Sequence, residues 1–217
     1  MTLHMKREVE KLKAKLLNLC GSVEKNLCMA VESIRRRDAV LARKVIETDI
    51  EIDNMEIDIE EECLKILALH QPVAIDLRFI ITALKINNDL ERIGDFAVNI
   101  AERSEFIISK EPISVPFNFD SMAEKTQTML TRSLDALVDM DCELAHRVCI
   151  EDDEVDDLNR HMHETIKNCI QQHPEWLETL LHLISVSKYL ERIADHATNI
   201  AEDVIYMVQG KIVRHKN

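Results

Sequence analysis

Glycine is nearly absent from this chain, with 3 in 217 residues, and proline is scarce, with 4. Aromatic residues make up only 4%. Sandwiches and barrels need frequent Gly and Pro turns and aromatic or β-branched strands, so these shortages exclude a β-rich fold. Three scattered glycines also cannot build a Gly-rich phosphate loop. No apolar run approaches the ~18 residues of a spanning helix, so no transmembrane segment is expected. Met1 to Glu10 is polar and lacks the apolar stretch of a signal peptide. Cys20, Cys28, Cys63, Cys142, Cys149 and Cys169 form no Cys-x-x-Cys pair, and most fall at apolar helix positions. They read as reduced core cysteines of a cytoplasmic protein. Positive charge is in deficit: 27 Lys and Arg against 40 Asp and Glu leave a net −13. Such a chain repels a phosphate backbone, which argues against nucleic-acid binding, and the same balance argues against phosphate itself being sensed.

What is abundant points to long helices. Hydrophobic residues at 46% beside charged residues at 31% support a packed core and exclude disorder. Leu12, Leu16, Leu19, Val23, Leu27, Ala30 and Ile34 recur at helical steps, which predicts a first helix over about 4–37. Arg35, Arg36 and Arg37 then sit at its C-terminus, and Lys211, Arg214 and Lys216 at the end of the last helix, where cations offset the macrodipole. Asp38 reads as the N-cap of a second helix over about 38–69. Pro72 marks a turn into a third, about 74–109. After the Pro-containing stretch 111–119 the pattern restarts, with helices over about 120–139, after Asp141, and over about 175–212 beyond a break at Pro174.

The restart is a repeat. Ten of the 13 residues of Leu90 to Glu102 are identical to Leu190 to Glu202, at an offset of 100. Val45 to Met55 echoes Val148 to Leu158 more weakly, at an offset of 103. The expected fold is therefore all-α: a first three-helix bundle over 1–110, a linker over 111–119 and a pseudo-symmetric second bundle over 120–217.

The repeat carries carboxylates at i and i+4, the spacing that stacks side chains on one helix face. Asp49 and Asp53 face the first hairpin, as do Glu91 and Asp95 from its other arm. Asp152 with Asp156, and Glu191 with Asp195, repeat the arrangement. Each such like-charge pair costs a helix about 0.2–0.5 kcal/mol. Counting outward from Pro72 places Asp53 level with Glu91 and Asp49 level with Asp95, and the second hairpin gives the same match. Two quartets of carboxylates follow, and they repel unless a cation joins them. Oxygen-only ligands suit Mg²⁺, Ca²⁺, Mn²⁺ or iron, held in an open surface groove because the stripe lies about 100° from the apolar face. Asn99 with Glu102, and Asn199 with Glu202, continue the stripes, and His163 and His196 are candidate nitrogen ligands. The competing reading is a solvated acidic face that binds no metal. No Glu-x-x-His pair of the di-iron kind and no nucleophile beside the carboxylates is signalled, so no enzyme is expected.

The two Leu-Glu-Arg-Ile-(Gly/Ala)-Asp-x-Ala-x-Asn-Ile-Ala-Glu blocks, the segment Gln71 to Ile80, and Ile200 to Tyr206 with Gly210 and Lys211 resemble the PhoU family of phosphate-uptake regulators. The resemblance spans nearly the whole chain, and the order, duplication and spacing of the blocks make it specific. It implies metal clusters, iron or zinc in some members, on the eight carboxylates Asp49, Asp53, Glu91, Asp95, Asp152, Asp156, Glu191 and Asp195. It implies negative regulation of the phosphate-starvation response and of phosphate uptake. Its partners would be the phosphate ABC transporter ATPase and its sensor histidine kinase at the inner face of the membrane, and its assembly a homodimer or higher oligomer. The counterpart of Gln71 to Ile80 in the second copy, Gln171 to Leu180, has lost the Asp-Leu-Arg, so Asp76 and Arg78 serve the first copy alone. Two other functions fit the same carboxylates: a metal store, and a metal-dependent phosphohydrolase.

Overall fold

The structure, a computed structural model, describes residues 3–211. Six α-helices follow in order: α1 Leu3–Arg35, α2 Ala39–His70, α3 Ala74–Ser109, α4 Phe119–Asp139, α5 Cys142–Gln172 and α6 Leu177–Gln209. Among the described residues no strand occurs. The last helix stops at Gln209, short of the expected 212, because Gly210 takes a left-handed conformation that ends it; Arg214 and Lys216 lie outside the described residues.

Local chemistry sets the boundaries. Asp38 Oδ1 accepts the Val40 and Leu41 amides at 2.9 and 3.2 Å, and Asp141 Oδ1 does the same for Glu143 and Leu144 at 2.9 and 3.0 Å. Both therefore cap free amides at a helix start. Gln71 takes a left-handed conformation, φ 45°, and its amide bonds the Leu67 carbonyl, so α2 stops before buried Pro72. At the second hairpin a 3-10 turn over Pro174–Trp176 intervenes, which delays α6 by two residues against the sequence expectation of about 175. The arginines at the end of α1 also bond to other helices. Arg37 donates to the carbonyls of Ile107 and Ile108 at the end of α3, while Arg35 bonds Asp120 at the start of α4.

α3 and α6 run antiparallel through the centre, since Lys85 meets Asp203, Asp89 meets His196 and Lys110 meets Glu178. Ile86, Leu90, Ile93, Ala97 and Ile100 of α3, and Val186, Leu190, Ile193, Ala197 and Ile200 of α6, are fully covered or nearly so. Each buried Leu or Ile contributes about 1.5–3 kcal/mol. The core is one continuous cluster that draws on all six helices. A smaller cluster of Met162, Ile166, Cys169 and Leu180 receives Ile113, Val115 and Phe117 of the 111–118 connection. Polar bridges repeat with the helices: Asn87 donates to the Glu56 carbonyl at 3.0 Å, and its counterpart Ser187 bonds Asn159 at 2.7 Å. The cysteines are all free, but only Cys20, Cys63 and Cys169 are buried. Cys149 is half-buried and packs against the core, so four of the six lie at apolar positions as expected, while Cys28 is exposed and Cys142 is half-buried outside the core clusters.

Candidate functional site

The fold brings the two acidic stripes of each hairpin together. Asp49 and Asp53 lie one turn apart on α2, facing Glu91 and Asp95 one turn apart on α3. Burial pushes the Asp49 carboxyl up to about 6, and the charges of Asp53, Asp95 and Glu91 push it the same way. Burial and the charge of Asp95 raise Glu91 as well, with Glu56 and Asp53 adding to the rise. These couplings span both helices, as the hairpin counting requires. Asp49 also leans on Gly94: a Cβ there would stand 3.4 Å from its Oδ1 and 3.3 Å from Ile52 Cγ2. The missing Cβ leaves a shallow cradle under the carboxylate.

The second hairpin repeats the arrangement on α5 and α6. Burial, then Asp195 and Asp156, push Asp152 up to about 6. Asp156 is raised by burial and by Glu191, and Asp195 by burial, Glu191 and Asp156. Asp152 Oδ1 is buried, and the neighbouring Thr198 hydroxyl favours its charged form too weakly to offset burial and the acidic neighbours. A buried carboxylate so poorly compensated costs free energy that a cation would recover. Six of the eight carboxylates are half-buried and only Asp53 and Asp195 are exposed, so the grooves sink deeper than a stripe 100° from the core would.

Protein cations stand only at the rims. Arg92 reaches Glu91 at 3.4 Å and Asp95 at 3.2 Å, and Lys188 bonds Glu191. Arg160 and Lys188 act to lower Asp156 against the rise from burial and Glu191. None of these cations is among the groups acting on Asp49 or Asp152 at the groove floors. The donor set therefore fits a hard, oxygen-preferring cation better than zinc, which favours nitrogen and sulfur. Its placement is open: among the described residues, no three His, Cys, Asp or Glu side chains stand ready-made around one ion. Binding would require the carboxylates to turn inward and the rim cations to yield.

The candidate nitrogen ligands lie differently. His196 directs Nδ1 to Asp89 Oδ1 at 2.7 Å, and Asn199 donates to the same oxygen at 3.3 Å. Both therefore face the α3–α6 seam instead of continuing the acidic stripe. His163 is exposed and is not among the groups acting on Asp152, Asp156 or Asp195. Arg78 also leaves its expected confinement to the first copy. Its guanidinium packs over Gly210, where a Cβ would come within 2.4 Å of Nη1, at the negative end of α6. The helical counting missed Cys149 and Glu56. Cys149 lies within reach of the Asp152 charge, and burial first of all pushes its thiol up to about 11. A signal for both existed, since each sits one turn from a quartet member on the same helix.

The PhoU domain model matches residues 16–104 and 119–204, one match per repeat. The chain is 35% identical to the phosphate-specific transport system accessory protein PhoU homolog of Clostridium acetobutylicum, covering 95% of this chain and 94% of that one. It is 36% identical to the homolog of Aquifex aeolicus, with coverage of 97% and 96%. The crystal structure of PhoU from Pseudomonas aeruginosa superposes with a TM-score of 0.91 at 37% identity, over 95% of this chain and 99% of that one.

Proposed function

This chain belongs to the PhoU family, and from that premise we propose that it is a regulator of phosphate uptake that works by protein contact and whose two carboxylate quartets hold metal. Its relatives are named as accessory proteins of the phosphate-specific transport system, and the likeness runs the length of both chains. The partners would be the transporter ATPase and the sensor histidine kinase, and the effect would be to restrain uptake and the starvation response. The protein would act from the cytoplasmic side, and among the described residues no helix is long and apolar enough to cross a membrane. It would assemble as a homodimer or higher oligomer.

The observation that carries the metal reading is the doubled groove floor. Asp49 and Asp152 occupy matching places, each is pushed up to about 6 by burial and by three or more acidic neighbours, and neither is neutralised from within the chain. Asp49, Asp53, Glu91 and Asp95 would hold cation in one groove, and Asp152, Asp156, Glu191 and Asp195 in the other. Bound metal would supply positive charge to a face that otherwise repels anionic partners. The protein's own part is to gather the oxygens, half-shield them from water and hold them on rigid helices. Iron, Mn²⁺, Mg²⁺ and Ca²⁺ match the donors.

The test is capture of the transporter ATPase and of the kinase by the full chain, metal-loaded and chelator-treated, and by Asp49→Asn with Asp152→Asn. The proposal expects capture that depends on metal and weakens in the double variant. Equal capture by all three forms would remove the metal from the mechanism, and no capture of either partner would remove the regulator reading. Many ions per chain without partner capture would favour a store, and phosphate release that stops in the double variant would favour a hydrolase.

A further inference from the structure

The α3–α6 seam has two ends related by the internal repeat, and they are not chemically equivalent. At the first end Lys85 Nζ reaches Asp203 Oδ1 at 3.3 Å and lies 5.5 Å from the centre of the Tyr206 ring, beside Thr82. The offset of 100 maps Lys85 to Ser185, Asp203 to Arg103, Tyr206 to Phe106 and Thr82 to His182. At the second end a guanidinium thus replaces the carboxylate, and a hydroxyl replaces its ammonium partner. Ser185 spends that hydroxyl on the Leu181 carbonyl of its own helix at 3.0 Å.

Arg103 is left without an anion. It is half-buried, its Nε is buried with no acceptor, and among the described residues no carboxylate pairs with it. His182 stacks on Phe106 with ring centres 3.8 Å apart, and its buried Nδ1 has no partner either. Lys110 lies over the same ring, 4.9 Å from the Phe106 centre. Among the described residues Glu178 is the acid acting on His182, and it is bonded to Lys110 at 2.8 Å. Burial lowers the His182 pKa first, Arg103 and Lys110 lower it further, and Glu178 acts in the opposite direction. A half-buried Arg with no acceptor is unusual in a chain whose acids outnumber its cations 40 to 27.

We propose that Arg103 and His182 form a binding site for a small tetrahedral oxyanion at the end of the seam where Arg103 stands in place of Asp203 and Ser185 in place of Lys85. The guanidinium offers charge-assisted donors and the imidazole offers Nδ1–H, a combination suited to phosphate or sulfate. The site is local, so it does not conflict with the acidic balance of the whole surface, which is screened beyond about 8–10 Å. It lies apart from the carboxylate quartets and stands whether or not they bind metal.

The test uses the full chain, chelator-treated so that phosphate cannot bind through metal, with the histidine rings isotope-labelled. Inorganic phosphate is titrated at constant ionic strength while the His182 ring resonance is followed. A saturable shift is expected, competed by sulfate and absent with chloride. The double variant Arg103→Asp with Ser185→Lys copies the Lys85–Asp203 pair into this end and should lose the shift while keeping its melting temperature. Arg103→Gln is the control should that variant not fold, and it should weaken binding by roughly tenfold or more. No saturable shift, an equal shift with chloride, or undiminished binding in either variant would overturn the proposal.

Discussion

Replacing Asp49 and Asp152 with Asn in the metal-free protein should stabilise it. Each carboxyl is pushed from a usual value of 3.8 up to about 6, first by burial and then by neighbouring acids. A raised acid pKa means that the folded state binds the proton more tightly than the unfolded chain. Stability is therefore lost as pH rises from about 4 through about 6, and the penalty stays at its full value above that. Taken at face value the rise corresponds to roughly 3 kcal/mol per site, but the grooves are open to water, and screening leaves on the order of 1 kcal/mol. Asn removes the charge and keeps an amide oxygen that can still face the Thr198 hydroxyl beside Asp152. The double variant should melt about 4–8 °C above the parent at pH 8 in chelator, for two increments of ~1 kcal/mol in a chain of this size. The gain should shrink as pH falls through about 6 and vanish near pH 3 and below, where the parent carboxyls are protonated in both states. Adding Mn²⁺ should reverse the order at pH 8, because the parent binds the ion and the variant does not. A double variant less stable than the parent at pH 8 in chelator would refute the repulsion argument.

Other substitutions probe separate parts. Gly94→Ala adds a Cβ 3.3 Å from Ile52 and 3.4 Å from Asp49, against about 1 kcal/mol of helix propensity gained. Stability should change by less than about 1 kcal/mol, and metal affinity should fall in the first groove alone, since Ala194 already carries that Cβ in the second. Calorimetric titration that shows both grooves equally affected would contradict this. Asp89→Ala strips the acceptor from His196 and Asn199 and should cost about 1–3 kcal/mol in urea denaturation. Ile193→Ala, in the central seam at 0% exposure, should cost about 2–5 kcal/mol. Ile150→Ala, at 72% exposure, should stay within about 0.5 kcal/mol.

Much of the fold was legible because helix boundaries obey local chemistry. Asp38 caps where it was expected, the helix restarts after Asp141 as expected, and Pro72 closes the first hairpin. The quartets were legible because an i, i+4 spacing and a hairpin centre together fix the height of each side chain. Histidine placement was not legible. His196 sits next to Asp195 in sequence, yet a step of ~100° around the helix carries it into the seam to meet Asp89 from α3. That contact depends on how two halves pack, which no single-helix pattern encodes. The same holds for Arg37, which reaches the end of α3, and for Arg103, whose missing partner shows only when the two ends of the seam are compared. The 3-10 turn after His173 escaped because helical periodicity does not distinguish a tight first turn from a regular one.

The most direct measurement is the metal content of the full chain purified without chelator, beside a variant with Asp49, Asp95, Asp152 and Asp195 all changed to Asn. Bound iron, manganese or another oxygen-preferring metal in the parent, and its loss from a variant that still folds, is the expected result. A parent free of metal after incubation with these ions, or a variant that retains as much, would leave two solvated acidic grooves and contradict the reading.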